Sequence, residues 1–169
     1  KLKEALKGSE LEPGPTIIDC PYDWRVPLMT AVKWWLQPAI YAAQGGDKTK
    51  KVNIIAHSMG GLVSRRYIYN NPSTVAGLVT LGTPHQGSDL AYVGEFLAFF
   101  IGATAATNNL KPSWCSSFNA SYPAPGPMYG GGKIYTIRGD GDGWDCWGWG
   151  GELSIGWTAL STIYWTDSD

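Results

Sequence analysis

The stretch Asn53-Ile54-Ile55-Ala56-His57-Ser58-Met59-Gly60-Gly61 constrains this chain more than any other. The β-branched apolar run Val52, Ile54, Ile55 predicts a strand that ends near His57. A helical pattern begins at once, with Leu62, Val63, Tyr67 and Ile68 on one side and Arg65 and Arg66 on the other. A serine therefore stands at the apex of a sharp strand-to-helix turn. Strand and helix backbones nearly touch across such a turn, so small residues are needed two places before and two places after the apex. Ala56 and Gly60 meet that need, with alanine where glycine is the commoner choice. The turn holds the Ser58 side chain clear of the backbone, at a helix N-terminus.

That placement suits nucleophilic chemistry. A serine hydroxyl attacks poorly until a base takes its proton. The oxyanion formed by attack needs donors already fixed in place. The backbone N–H of Met59 is placed to be one of them, and the helix dipole adds a favourable field. His57 is a poor base for Ser58, because adjacent residues at a strand–turn junction point in different directions. It reads as a packing and hydrogen-bonding residue beside the turn.

Two further segments stand in order around the turn. Pro21-Tyr22-Asp23-Trp24-Arg25 follows the short strand-like run Thr16-Ile17-Ile18-Asp19. Leu78-Val79-Thr80-Leu81-Gly82-Thr83-Pro84-His85-Gln86-Gly87-Ser88 follows the helix at the distance of one strand–helix–strand unit. With Ala56 to Gly61, these segments make the chain resemble the lipase and lecithin:cholesterol acyltransferase-like branch of the α/β-hydrolase superfamily, over roughly residues 1–90. The resemblance implies an α/β fold, a parallel sheet with helices on both faces. It also implies Ser58 as nucleophile and esters, often of lipids, as substrates. Locally, Tyr22 to Arg25 reads as a structural corner with Arg25 paired to Asp23 or to a backbone carbonyl. Pro84 forces the chain out of its strand, and His85 reads as a rim or packing residue rather than the general base.

In this superfamily the catalytic partners follow in the order serine, acid, histidine. The only histidines are His57 and His85, and both precede any plausible acid strand. The expectation is a fragment cut at both ends, inactive by itself, with the second oxyanion donor before Lys1 and the catalytic histidine after Asp169. Two acids remain candidates. Asp169 fits the opening of the family's acid loop, Ser168-Asp169, and is slightly favoured. Asp142 lies in Gly139-Asp140-Gly141-Asp142-Gly143, directly after the strand-like Lys133-Ile134-Tyr135-Thr136-Ile137-Arg138. The plainer reading of that segment is a glycine-rich turn. A calcium loop through Asp140, Asp142 and Asp145 lacks the glutamate-terminated pattern of an EF-hand.

At 169 residues the chain is one domain by size, here one partial α/β-hydrolase domain over 1–169. Net charge −1 and a sequence pI near 6.1 give no basic surface for nucleic acid. No run approaches the roughly eighteen apolar residues of a membrane span. The three cysteines show no paired spacing, so neither a metal nor a cofactor is expected. Cys20 reads as a buried thiol, whereas Cys115 and Cys146 are a conceivable disulfide in an exported protein. A secreted or cell-envelope location is the leaning, and the sequence leaves it open. Asn119-Ala120-Ser121 matches a glycosylation acceptor.

Further along, a helix is expected over about Leu28 to Ala43, kinked or divided at Pro38, then strands over 52–57 and 77–82 flanking a helix over 59–70. From 88 to 132 the strand–helix alternation fails, which makes this segment a candidate cap or lid insertion. Its apolar run Leu90 to Ile101 precedes a Pro-, Gly-, Ser- and Asn-rich stretch. A lid over an acyl pocket, with lipid-interface contact, and a core helix with a surface loop fit equally. Residues 139–165 alternate tryptophan with glycine and suit a ligand crevice, a lipid interface or an aromatic hairpin. The leading expectation is a serine esterase of lipase type. The rivals are an acyltransferase, thioesterase or amidase on the same nucleophile, and a non-catalytic binding module.

Overall fold

The computed structural model describes residues 17–88, 104–123, 133–137 and 162–167, the last as backbone. A five-stranded sheet runs in the order β1-β5-β2-β3-β4. Its strands are β1 (Asp19–Pro21), β2 (Val52–His57), β3 (Val75–Leu81), β4 (Lys133–Ile137) and β5 (Thr162–Asp167). β2, β3 and β4 pair in parallel, and β5 lies antiparallel between β1 and β2. β1 to β4 thus share one direction, and the sheet carries one reversed strand that the sequence reading did not assign.

The strands form where β-branched residues alternate with less buried ones. Val52, Ile54 and Ala56 are fully buried on one face of β2, while Asn53, Ile55 and His57 on the other are half-buried. The parallel register sets Ala56 beside Thr80 and His57 beside Leu81, so β2 and β3 end together at the end that presents Ser58. β4 ends level with them, with Ile137 beside Leu81. β5 runs the other way and brings Asp167 beside Val52, at the opposite end of the sheet.

Helix 28–43 is continuous through Pro38. It consists of α1 (Leu28–Ala31), a π-helical turn (Val32–Leu36) and α2 (Gln37–Ala43). Proline has no N–H for the carbonyl four residues back, and its ring crowds that carbonyl. The turn before it widens, and the Gln37 N–H bonds the Val32 carbonyl five residues back. The expected kink is resolved as a π turn. Leu28, Ala31, Val32, Leu36, Ile40 and Ala43 face inward, while Met29, Trp34 and Tyr41 are exposed.

The elbow helix α3 (Gly60–Asn70) packs against β2, β3 and helix 28–43. Leu36, Ile40, Ile54, Met59, Leu62, Ile68 and Leu78 are all but inaccessible, in one core cluster. Each such side chain contributes about 1.5–3 kcal/mol over exposure. A 3₁₀ turn, Pro72–Thr74, ends the helix as Asn70-Asn71-Pro72 predicts.

Two helices lie inside the candidate cap: α4 (Thr104–Asn109) and α5 (Pro112–Ser121). The Ser- and Asn-rich composition of this stretch does not predict these helices. Pro112 sits in the first turn of α5, where its missing N–H is no loss. Cys115 and Phe118 of α5 join the core cluster. The apolar run Leu90 to Ile101 lies outside the described residues, as does most of the tryptophan–glycine segment. Among the described residues no helix is long and apolar enough to cross a membrane.

Candidate active site

Ser58 is the one non-glycine residue with a positive φ, 51°, among those described. The left-handed conformation costs an L-residue about 1–2 kcal/mol, so its surroundings must hold it there. Backbone hydrogen bonds and one buried side chain do so. The Ser58 N–H donates to the Leu81 carbonyl at 2.9 Å, tying the turn to the end of β3. The Ser58 carbonyl accepts from the Gly61 N–H at 3.1 Å, and the Met59 carbonyl accepts from Leu62 and Val63, starting α3. The Met59 side chain is 1 % exposed and anchors its own peptide in the core.

The helix start approaches the loop after β3 closely. A Cβ on Gly61 would lie 2.9 Å from Thr83 Cβ and closer still to Thr83 Oγ1 and Cγ2. The second glycine of Met59-Gly60-Gly61 is thus fixed by Thr83 of the Gly82-Thr83-Pro84 segment, a dependence the sequence alone did not reveal. The strand–turn–helix expected around Ser58 is present, and the Met59 N–H belongs to the first turn, where amides lack intrahelical acceptors.

Asp23 and Arg25 form the expected corner. Arg25 donates from Nε to Asp23 Oδ1 at 2.8 Å and from Nη2 to Oδ2 at 2.9 Å, and its backbone N–H adds a bond to Oδ1 at 3.0 Å. The arginine's hydrogen bonds hold the Asp23 carboxyl below its ordinary range. Both groups are partly solvated, and the pair closes a tight turn.

Arg65 does not lie on a solvated face, as the helical pattern suggested; it is 7 % exposed. α5 covers that side of α3. The Arg65 guanidinium bonds Asn119 Oδ1 at 2.9 Å, the Tyr122 carbonyl at 2.9 Å and His85 Nδ1 at 3.1 Å. It also lies 5.1 Å from the centre of the Phe118 ring. Arginine only donates, so His85 Nδ1 is the acceptor and the ring proton sits on Nε2. That nitrogen is 3.2 Å from Thr80 Oγ1. Burial, reinforced by the Arg65 charge, lowers the His85 pKa to about 4. With both nitrogens engaged, His85 is a packing residue, as expected, and stays neutral.

A pH dependence follows from that value. His85 in the folded chain titrates near 4, below its ordinary 6.5. The unfolded chain therefore binds the proton first as pH falls. The stability contributed by neutral His85 is complete above about pH 6.5 and is lost as pH drops toward 4. Urea melts across this window should show a flatter acid limb in His85→Gln than in the wild type. An identical limb would mean that the ring titrates normally.

Other expectations meet the geometry less well. Cys115 is a free, buried thiol lying 3.5 Å from the Asn109 carbonyl and 3.6 Å from the Pro84 carbonyl, not a disulfide partner. Cys20 is buried, as expected. The glycosylation match at Asn119 sits in a helix, and its amide nitrogen donates to the His85 carbonyl at 2.8 Å. The nitrogen a glycan would take is already engaged. Asp142, Asp169 and Cys146 lie outside the described residues. Among the described residues no group of three His, Cys, Asp or Glu side chains is arranged to hold a metal.

The chain is similar in sequence and fold to known proteins. A triacylglycerol lipase of Pseudarthrobacter phenanthrenivorans is 31 % identical over 133 residues, covering 59 % of this chain and 41 % of the relative. A triacylglycerol lipase of Burkholderia plantarii is also 31 % identical over 133 residues, covering 59 % of this chain and 36 % of the relative. The chain thus spans about two fifths of the length of these curated relatives. The crystal structure of the mature Bacillus licheniformis lipase BlEst2 superposes with a TM-score of 0.55 at 26 % identity, covering 83 % of this chain and 56 % of that one. Residues 28–118, more than half of the chain, match the model of the PGAP1-like alpha/beta domain. The match spans the nucleophile turn, its helix, β3 and α5 as far as Phe118, and so this chain, a lipase-like α/β hydrolase, belongs to the PGAP1-like alpha/beta domain family.

Proposed function

We propose that this chain carries the nucleophile half of a serine carboxylic-ester hydrolase of lipase type. The observation that carries the reading is Ser58 held at φ 51° between β2 and α3. Ser58 Oγ attacks the ester carbonyl carbon as its proton passes to an imidazole. The Met59 N–H helps hold the oxyanion, the alcohol leaves with the proton the imidazole returns, and water then resolves the acyl-enzyme. His85 is committed to Arg65 and Thr80, and the His57 ring lies beside Gly82. On this reading the imidazole comes from a part of the protein other than these 169 residues, and the piece alone turns over no ester.

For the acid, strand direction favours Asp142 over Asp169. β4 ends at Ile137 beside Leu81, at the Ser58 end of the sheet, and Asp142 follows five residues later. β5 brings the chain to Asp167 beside Val52, at the other end. Lipid acyl esters are the proposed substrates, because the two relatives above are triacylglycerol lipases. In the full-length protein, Asp142→Asn should lower ester kcat/KM by about 10⁴-fold, the scale of the aspartate-to-asparagine change in a serine protease triad. Asp169→Asn should leave it within a few-fold. The reverse pattern would move the acid to Asp169.

A further inference from the structure

We propose that Arg65 is a positioning residue of the ester site: its guanidinium binds the nucleophile helix to the loop after β3 through His85, and to α5 through Asn119 and Tyr122. The inference rests on the serine-ester reading and names what keeps its nucleophile in register.

Arg65 lies seven residues beyond Ser58, about two helical turns along α3. It is buried, and its contacts reach segments remote in sequence: His85 is 20 residues away, Asn119 54 and Tyr122 57. They also close on one another, because Asn119 Nδ2 donates to the His85 carbonyl at 2.8 Å. Helix, loop and α5 thus form a triangle with a hydrogen bond on every side.

From His85 the bonds continue. The Nε2–H reaches Thr80 Oγ1 on β3, and Thr80 Oγ1 donates on to Thr136 Oγ1 at 3.0 Å. Thr136 is the residue before the end of β4, the strand that leads toward Asp142. One cation therefore aligns three parts of the crevice: the helix behind the nucleophile, the loop packed on Gly61, and the strand on the acid side. A planar fork with five fixed donors can serve acceptors in several directions at once. A lysine ammonium on a flexible stem cannot hold the same three groups in one plane.

The contacts also assign α5 a role inside the candidate cap. Arg65 ties its C-terminal end, at Asn119 and Tyr122, to the nucleophile helix.

The test uses the full-length protein with two readouts, the fluorophosphonate labelling rate at Ser58 and hydrogen exchange of residues 112–122. Glutamine at position 85 can accept from Arg65 and donate to Thr80, whereas leucine can do neither. His85→Gln should label within about threefold of wild type. His85→Leu and Arg65→Lys should label about 10- to 100-fold more slowly, the scale of a misplaced reacting group. Their ester turnover should fall in kcat with KM little changed, and residues 112–122 should exchange faster. Equal labelling by His85→Gln and His85→Leu, with unchanged exchange, would overturn the proposal. If Arg65→Lys fails to fold, the two His85 variants decide alone. A wild type that does not label at Ser58 sinks the serine reading, and the exchange comparison then judges the Arg65 tie by itself.

Discussion

Replacing Ser58 with alanine in the full-length protein is expected to remove fluorophosphonate labelling entirely and to cut ester turnover by three to six orders of magnitude. Those are roughly the losses seen when the nucleophile of a serine hydrolase is deleted. A second substitution separates chemistry from strain. Ser58 holds a left-handed φ of 51° that glycine adopts freely. Ser58→Gly should therefore be equally inactive yet about 1 kcal/mol more stable than Ser58→Ala. Labelling by mass spectrometry and thermal melts of both variants check the two statements. Ester turnover that survives in Ser58→Ala would show that the nucleophile lies elsewhere.

The largest expected effect on stability concerns Gly61. A methyl group there would meet Thr83 Cβ at 2.9 Å, and the Thr83 hydroxyl and methyl at shorter range. Rotating Thr83 about χ1 moves its Oγ1 and Cγ2 but not its Cβ. Backbone must shift, and overpacking of this kind costs about 1–3 kcal/mol. The expected result for Gly61→Ala is a Tm lowered by about 2–12 °C for a domain of this size. Because the shift falls on the turn itself, slower labelling at Ser58 should accompany it. Thr83→Gly in the Gly61→Ala background should restore part of the loss, whereas Thr83→Ala, which keeps the Cβ, should restore less. Additive effects in that cycle would place the strain away from the helix–loop contact.

The turn was readable because it is local. Ala56, Ser58, Gly60 and the β-branched run before them specify strand, bend and helix within about a dozen residues, and the three motifs in order set the fold. The features that were missed depend on distant partners. Arg65 looked solvated because a helical pattern shows which residues share a face, not what covers it. The covering helix, α5, was itself obscured by serine and asparagine of low helix propensity. It is held by Cys115 and Phe118 in the core and by the bonds from Arg65. Pro112 in its first turn was a start signal that the composition of the surrounding stretch concealed. β5 has a strand-like composition in Thr162-Ile163-Tyr164-Trp165, but its place between β1 and β2 is a long-range choice that no local pattern specifies. Pro38 announced a disturbance of helix 28–43. Whether it becomes a kink or a widened turn depends on the packing of Leu36 and Ile40 on either side.

The pose of Ser58 relies on the Leu81 carbonyl at the end of β3 and on the space left open beside Thr83 in the loop that follows, both a little over twenty residues downstream. A five-residue graft of Ala56 to Gly60 into a foreign scaffold would carry the letters without the bend. The smallest portable piece runs from Val52 through Thr83, and a transplant of that whole βαβ unit is what an engineer should move.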